Sequence, residues 1–346
     1  MLRTLGKTLT FLAILTLLGV GPVSLCRADF GAEEGKSQAV AETKGDGQEA
    51  AKKEEAKEDD CPATFGPIIT DTAIPIERGK FALQPTWGLS FVTDNFTPSW
   101  RRVSAKGDFT SFGMSLKLTY GLWDNLEVYT VIPYIHNWAG KVNEPGPNGE
   151  RFANFGGLGD INLTFKYRLV EEGPVAPTVS AILAPTFPTG HFRHLNPGRL
   201  GADAIGGGPF ALTTGFNLSK YLKPFLFYGN IYYTFNSDFT SDEADDDGNP
   251  IQRRNHPRDF VTANLAAEYP LSKKWVALLE LTSTWDAGRL VGPKAVAQPT
   301  ALLSLLPGIE YMATDKFSLA LGVNIDLAGK NTSANITPIL SMVYAF

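Results

Sequence analysis

From residue 80 to the last residue the chain alternates apolar and polar side chains with a period of two, in about twelve separate segments. Phe112, Met114, Leu116, Leu118 and Tyr120 share one face, and Gly113, Ser115, Lys117 and Thr119 share the other. Ile161, Leu163, Phe165, Tyr167 and Leu169 oppose Asn162, Thr164, Lys166 and Arg168 in the same way. So do Phe317, Leu319, Leu321, Val323, Ile325 and Leu327 against Ser318, Ala320, Gly322, Asn324 and Asp326. Successive side chains of a strand point to opposite faces, so this grammar belongs to strands with one apolar and one polar side; an amphipathic helix would need a period near 3.6. The segment cores fall near 81–92, 110–120, 126–134, 160–169, 178–187, 209–218, 225–235, 259–269, 275–285, 301–311, 317–327 and 336–346. Each is close to the length a tilted strand needs to cross a bilayer.

The connections carry a second rhythm. Those near 93–109, 135–159, 188–208, 236–258 and 286–300 are long and rich in Gly, Pro, Asn and charge. Those near 121–125, 219–224, 270–274 and 312–316 are tight, 170–177 is intermediate, and 328–335 is short where the rhythm asks for a long one. A soluble β-sandwich alternates as well. Three features disfavour it: the loop asymmetry, an N-terminal targeting signal, and aromatics near strand ends (Tyr120, Trp123, Tyr134, Tyr167, Tyr269, Trp275, Trp285, Tyr311 and Tyr344). In lipid every backbone N–H and C=O must be paired, so strands span only as a closed ring. The expected fold is all-β: a transmembrane antiparallel up-and-down β-barrel of about twelve strands in the bacterial outer membrane, with both ends on the short-turn, periplasmic side.

Before residue 80 the composition changes twice. Arg3 and Lys7 precede the apolar run Leu9–Val20, Gly21-Pro22 breaks it, and Ala28 is a suitable cleavage residue, so 1–28 reads as a signal peptide. Acylation at Cys26 is disfavoured by the bulk of Leu25. Residues 29–60 are rich in Glu, Lys, Ala and Gly with no aromatic after Phe30, the composition of a disordered acidic segment. Cleavage leaves Cys61 alone, so no internal disulfide forms, and 61–79 reads as a periplasmic lead-in to a barrel over 80–346. A net charge of −5 argues against a nucleic-acid partner.

The last strand carries Met342, Tyr344 and Phe346 on one face. Alternate aromatics ending on a terminal Phe resemble the signal read by the outer-membrane assembly machinery. Expected partners are therefore that machinery, outer-membrane lipid and lipopolysaccharide, and a small-molecule solute.

Four stretches resemble one family, the outer-membrane proteins of the meta-pathway of phenol degradation, often described as transporters: Gly157–Leu169, Gly121–Tyr134, Ala184–Phe192 and Gly206–Lys220. The resemblance covers roughly residues 70–346. It implies passage of aromatic compounds without naming a substrate.

No nucleotide-binding loop and no C-x-x-C is present. The four histidines, His136, His191, His194 and His256, fall in expected external loops. His191 and His194 have a spacing a metal could use, but loop histidines are more often solvated. Asp242–Asn249 has the composition of a calcium loop, yet its twelfth position from Glu243 is Arg254. No metal or cofactor is expected, and an enzymatic role is disfavoured. The expected pore-lining charges are Lys117, Lys166 and Arg168 facing Glu268, Glu280 and Glu310, with Glu127 interrupting the basic side and Asp326 further along. They either set a transverse field across an open bore or pair with one another and fill it. Pro85 and Pro338, in the first and last strands, remove ladder donors beside the closing seam, either as bulges or as a lateral gap. The expected function is passive uptake of small, perhaps aromatic or hydrophobic, solutes. The alternatives are a closed structural or surface-interaction barrel and an outer-membrane hydrolase.

Overall fold

The computed structural model describes residues 64–142, 146, 148–244, 250–286, 289–291, 294–295 and 299–346. The expectations for the signal peptide, the acidic segment and Cys61 lie outside the described residues. Twelve long strands form the wall: β1 (Phe81–Phe96), β2 (Asp108–Trp123), β3 (Leu126–Gly140), β4 (Ile161–Val170), β5 (Thr178–Phe187), β6 (Ala211–Leu222), β7 (Phe225–Asn236), β8 (Phe260–Pro270), β9 (Trp275–Asp286), β10 (Thr300–Thr314), β11 (Phe317–Lys330) and β12 (Thr332–Ala345). Each pairs antiparallel with the next, and β12 pairs back to β1 to close the ring.

The alternation sets which way each side chain points. Leu265, Ile231 and Leu279 are more than half exposed on the outer face, while their neighbours Asn264, Asn230 and Glu280 are buried on the inner one. An outside this apolar is stable only against lipid. Trp123, Tyr167, Tyr269, Trp275, Trp285 and Tyr344 are all exposed near strand ends, where amphipathic rings meet the headgroups. Phe346 lies 5.7 Å from Phe81 in a stacked pair, and the two residues exchange backbone hydrogen bonds of 2.8 and 2.9 Å. The last residue is thus tied to the first strand.

The short-turn rim is as expected: two residues separate β2 from β3, β6 from β7 and β10 from β11. At the opposite rim the loop after β7 forms a separate sheet from Phe239–Ala244 and Pro250–Pro257, joined by Arg289–Val291 and Lys294–Ala295. The exception to the rhythm is real: only Asn331 joins β11 to β12, at φ 51°, a left-handed backbone that Asn tolerates better than most residues. Two placements differ from expectation. His136 belongs to β3 and stacks on Trp138 with ring centroids 4.3 Å apart, because β3 runs on past residue 134. The segment read as a periplasmic lead-in, in its described part 64–80, lies inside the barrel.

Candidate functional site: a strap across the lumen

Residues 64–80 cross the bore as a strap that has no secondary-structure period of its own. Its backbone N–H groups would be buried and unpaired without partners on the wall, and the inward polar residues supply them. Glu280 accepts from three consecutive amides: Ile68 at 2.7 Å, Ile69 at 3.1 Å and Thr70 at 2.6 Å. The Thr64 hydroxyl lies 2.7 Å from Glu310 and 3.1 Å from Glu268, and Tyr228 donates to Glu268 at 2.8 Å. Ile68 packs on Val276, Leu278 and Ala320, an apolar patch on the inner wall.

Further along, Asn230 clamps the Asp71 backbone, accepting from its N–H at 2.9 Å and donating to its carbonyl at 2.8 Å. Ala73 donates to Ser219 at 2.8 Å and accepts from Ser180. Ile76 donates to Glu127 at 2.7 Å. The strap then returns to the short-turn rim, where Gly79 donates to the Gly121 carbonyl and Gly121 to that of Lys80. Only glycine allows that approach, since a Cβ at 121 would collide with the Glu77 carbonyl.

The basic residues meet the same strap. Asp71 lies 3.2 Å from Lys117 and 3.0 Å from Lys166, and Lys166 is also 2.8 Å from Glu127. The charges expected to line an open bore point inward; Lys166 and Glu127 pair with each other, and six of the eight grip the strap. Arg168 and Asp326 take no part in this grip. Arg168 bonds Asn125 in the β2–β3 turn at 2.9 Å, and Asp326 sits toward the long-loop half, held by Ser304 and Asn335.

The residue that sequence reasoning missed is Asp71. It is the lone charge between Asp60 and Glu77, in an otherwise apolar, Pro- and Thr-rich run. A single carboxylate in such a stretch was a signal that it would be buried against cations.

A second feature lies at the closing seam. Backbone pairing of β1 with β12 passes over Gln84-Pro85 and over Leu89-Ser90, the latter pair facing Pro338 and Thr337. On the outer face a groove of about 480 Å³ is lined by Trp87, Leu89, Phe112, Leu321, Val323, Pro338 and Leu340. Behind it Gly113, Gly88, Ile339 and Gly322 lie in one inward rung across four strands, with Leu306 and Ile68 against Gly322 and the Thr86–Ser341 and Ser90–Thr337 hydroxyl pairs on either side.

The family model described as "Putative MetA-pathway of phenol degradation" matches residues 114–337. The chain belongs to this family. The match runs from within β2 to the first residues of β12, so it covers the inward charges, but neither the strap nor β1, and only the start of β12. A solved structure, the COG4313 outer membrane channel from Pseudomonas putida F1, superposes with a TM-score of 0.64 at 18% identity, over 82% of this chain and 100% of that one. Also similar are the translocator domain of the autotransporter NalP from Neisseria meningitidis (TM-score 0.47, 10% identity, 78% and 90% covered) and the CymD monoaromatic hydrocarbon channel (0.39, 12%, 78% and 90%). Those two are too distant to argue from. No curated protein sequence matches significantly. This member of the phenol-degradation family is an outer-membrane β-barrel.

Its loop histidines have carboxylate partners. His194 lies 2.6 Å from Asp242, His256 2.7 Å from Asp238, and His191 3.8 Å from Asp203. The hydrogen bond from His256, reinforced by Arg254, holds the Asp238 carboxyl below its ordinary range. His191 and His194 pair with different carboxylates, and no group of three metal-ligating side chains occurs among the described residues. Much of Asp242–Asn249 lies outside them.

Proposed function

We propose that this barrel passively admits small solutes, aromatic or otherwise hydrophobic, which enter from the long-loop side and leave sideways through the β1–β12 seam. The observation that carries the reading is a strap bonded to the inner wall beside a seam where glycines back an apolar outer groove. The strap is bonded to inward side chains of strands β2 to β10. At β1 and β2 the wall is backed by Gly88 and Gly113 and carries a lipid-facing apolar groove on its outer side. An apolar solute on that route meets lipid instead of the charged grip beneath it. The family's description names phenol degradation, and the similar structure from Pseudomonas putida is titled a channel; both support a solute of this class. Lipid and lipopolysaccharide surround the barrel in this reading, and the assembly machinery reads Met342, Tyr344 and Phe346. A catalytic role is not part of this reading.

Gly113 provides the test. A Cβ added there meets nothing within 4 Å, so a large side chain projects into the bore without strain. In cells expressing the protein, Gly113→Trp should lower the initial uptake rate of radiolabelled toluene at least fivefold, with heat-modifiable folding unchanged. Wild-type uptake no faster than that of cells without the protein would overturn the reading in favour of a closed structural barrel. The double variant Pro85→Val, Pro338→Val tests the exit. Full uptake by it, with G113W blocked, would exclude the seam and leave the strap side as the way out.

A further inference from the structure

Four strands of the wall aim a donor at one point, and the acceptor there does not belong to the wall. The Asp71 carboxylate receives Lys117 of β2 at 3.2 Å, the Tyr129 hydroxyl of β3 at 3.3 Å, Lys166 of β4 at 3.0 Å and the Asn217 amide of β6 at 3.1 Å. Lys166 is almost wholly buried, with 1% of its side chain exposed. The Lys117 ammonium also lies 4.1 Å from the Tyr129 ring centre, which fixes its direction. Without Asp71 the wall would hold two lysines against Glu127 alone, an excess positive charge in a buried site. Such a charge is costly until an anion neutralises it, and charge-assisted bonds from two ammonium groups and two neutral donors suit a carboxylate.

We propose that Lys117, Tyr129, Lys166 and Asn217 form a binding site for the carboxylate of a small solute, and that Asp71 is the strap's built-in competitor for it. The site is not sealed: the side chains of Asp71 and Lys117 keep 15% and 23% of their exposure. A solute carboxylate that takes the place of Asp71 leaves the strap held by Glu280, Asn230, Glu127 and the rim, but loosened where its own carboxylate meets the two lysines. Because Asp71 is tethered, its effective concentration is high. The wild-type protein therefore binds free carboxylates weakly, and removal of the competitor exposes the affinity of the wall. The binding stands apart from solute passage; only its role in admitting a solute rests on the channel reading.

Calorimetric titration of the full mature protein in detergent micelles tests this, with acetate as the probe and acetamide as its neutral counterpart. Asp71→Ala should bind acetate at least tenfold more tightly than wild type. Acetamide should bind neither, and adding Lys117→Gln to D71A should abolish the gain. Equal acetate affinity in D71A and wild type, or acetamide bound as well as acetate, overturns the site. If D71A yields no heat-modifiable barrel, Asp71→Asn is titrated under the same criteria. In wild type, benzoate should accelerate amide exchange across 66–76 relative to benzamide; identical exchange overturns the competition. Acetate binding to D71A with no solute flux would sink the channel reading and leave the site standing, and flux without such binding would do the reverse.

Discussion

Glu280 is a carboxylate taken out of water without a counter-charge. It is fully buried and forms no ion pair among the described residues; three backbone amides share its two oxygens. Hydrogen bonds to a charged acceptor contribute about 1.5–3 kcal/mol each, and a buried donor left unpaired costs about 1–3 kcal/mol. Glu280→Ala should therefore release the strap locally, because the wall keeps its own ladder while the strap loses its partners. Amide exchange at Ile68, Ile69 and Thr70 should rise at least tenfold by mass spectrometry, with little change in barrel melting. Unchanged exchange would mean that the carboxylate does not hold the strap. At this scale the sequence told half the story. Alternation marked Glu268, Glu280 and Glu310 as inward, since a period of two decides the face. What each would touch was not legible, because the partner comes from 64–80, some two hundred residues away in the chain.

Strands were the legible elements. Twelve were expected and twelve form the wall, since in a membrane strand the outward face must be apolar and the inward face is free to be polar. Misplacements fell where that contrast fades. His136 lies on the outward face of β3 beside Trp138, beyond the point where the pattern looked finished. The strap escaped because it makes no ladder and so has no period to read. Of the strands, β12 is the one whose identity matters for closure. Its terminal Phe346 carries both backbone bonds to Phe81 and stacks on its ring. Deleting Phe346 should lower the fraction of heat-modifiable, membrane-inserted protein several-fold in cells; equal insertion would show that neither closure nor the assembly machinery needs it.

For the whole molecule the decisive relation is between ring and strap. The ring satisfies its own backbone by closing, and the strap satisfies its backbone almost entirely on inward side chains of the ring. One is a complete fold and the other a removable occupant, held by Glu127, Asn217, Ser219, Asn230, Glu268, Glu280, Glu310 and two lysines. With the strap in place the inward charges bond a chain segment; without it they would face the bore. Single-channel conductance in a planar bilayer tests this most directly, comparing the mature protein with one lacking Thr64–Ile76. The account predicts a low or silent trace for the intact protein and stepwise openings several-fold larger for the deletion. Equal conductance from the two proteins would contradict it.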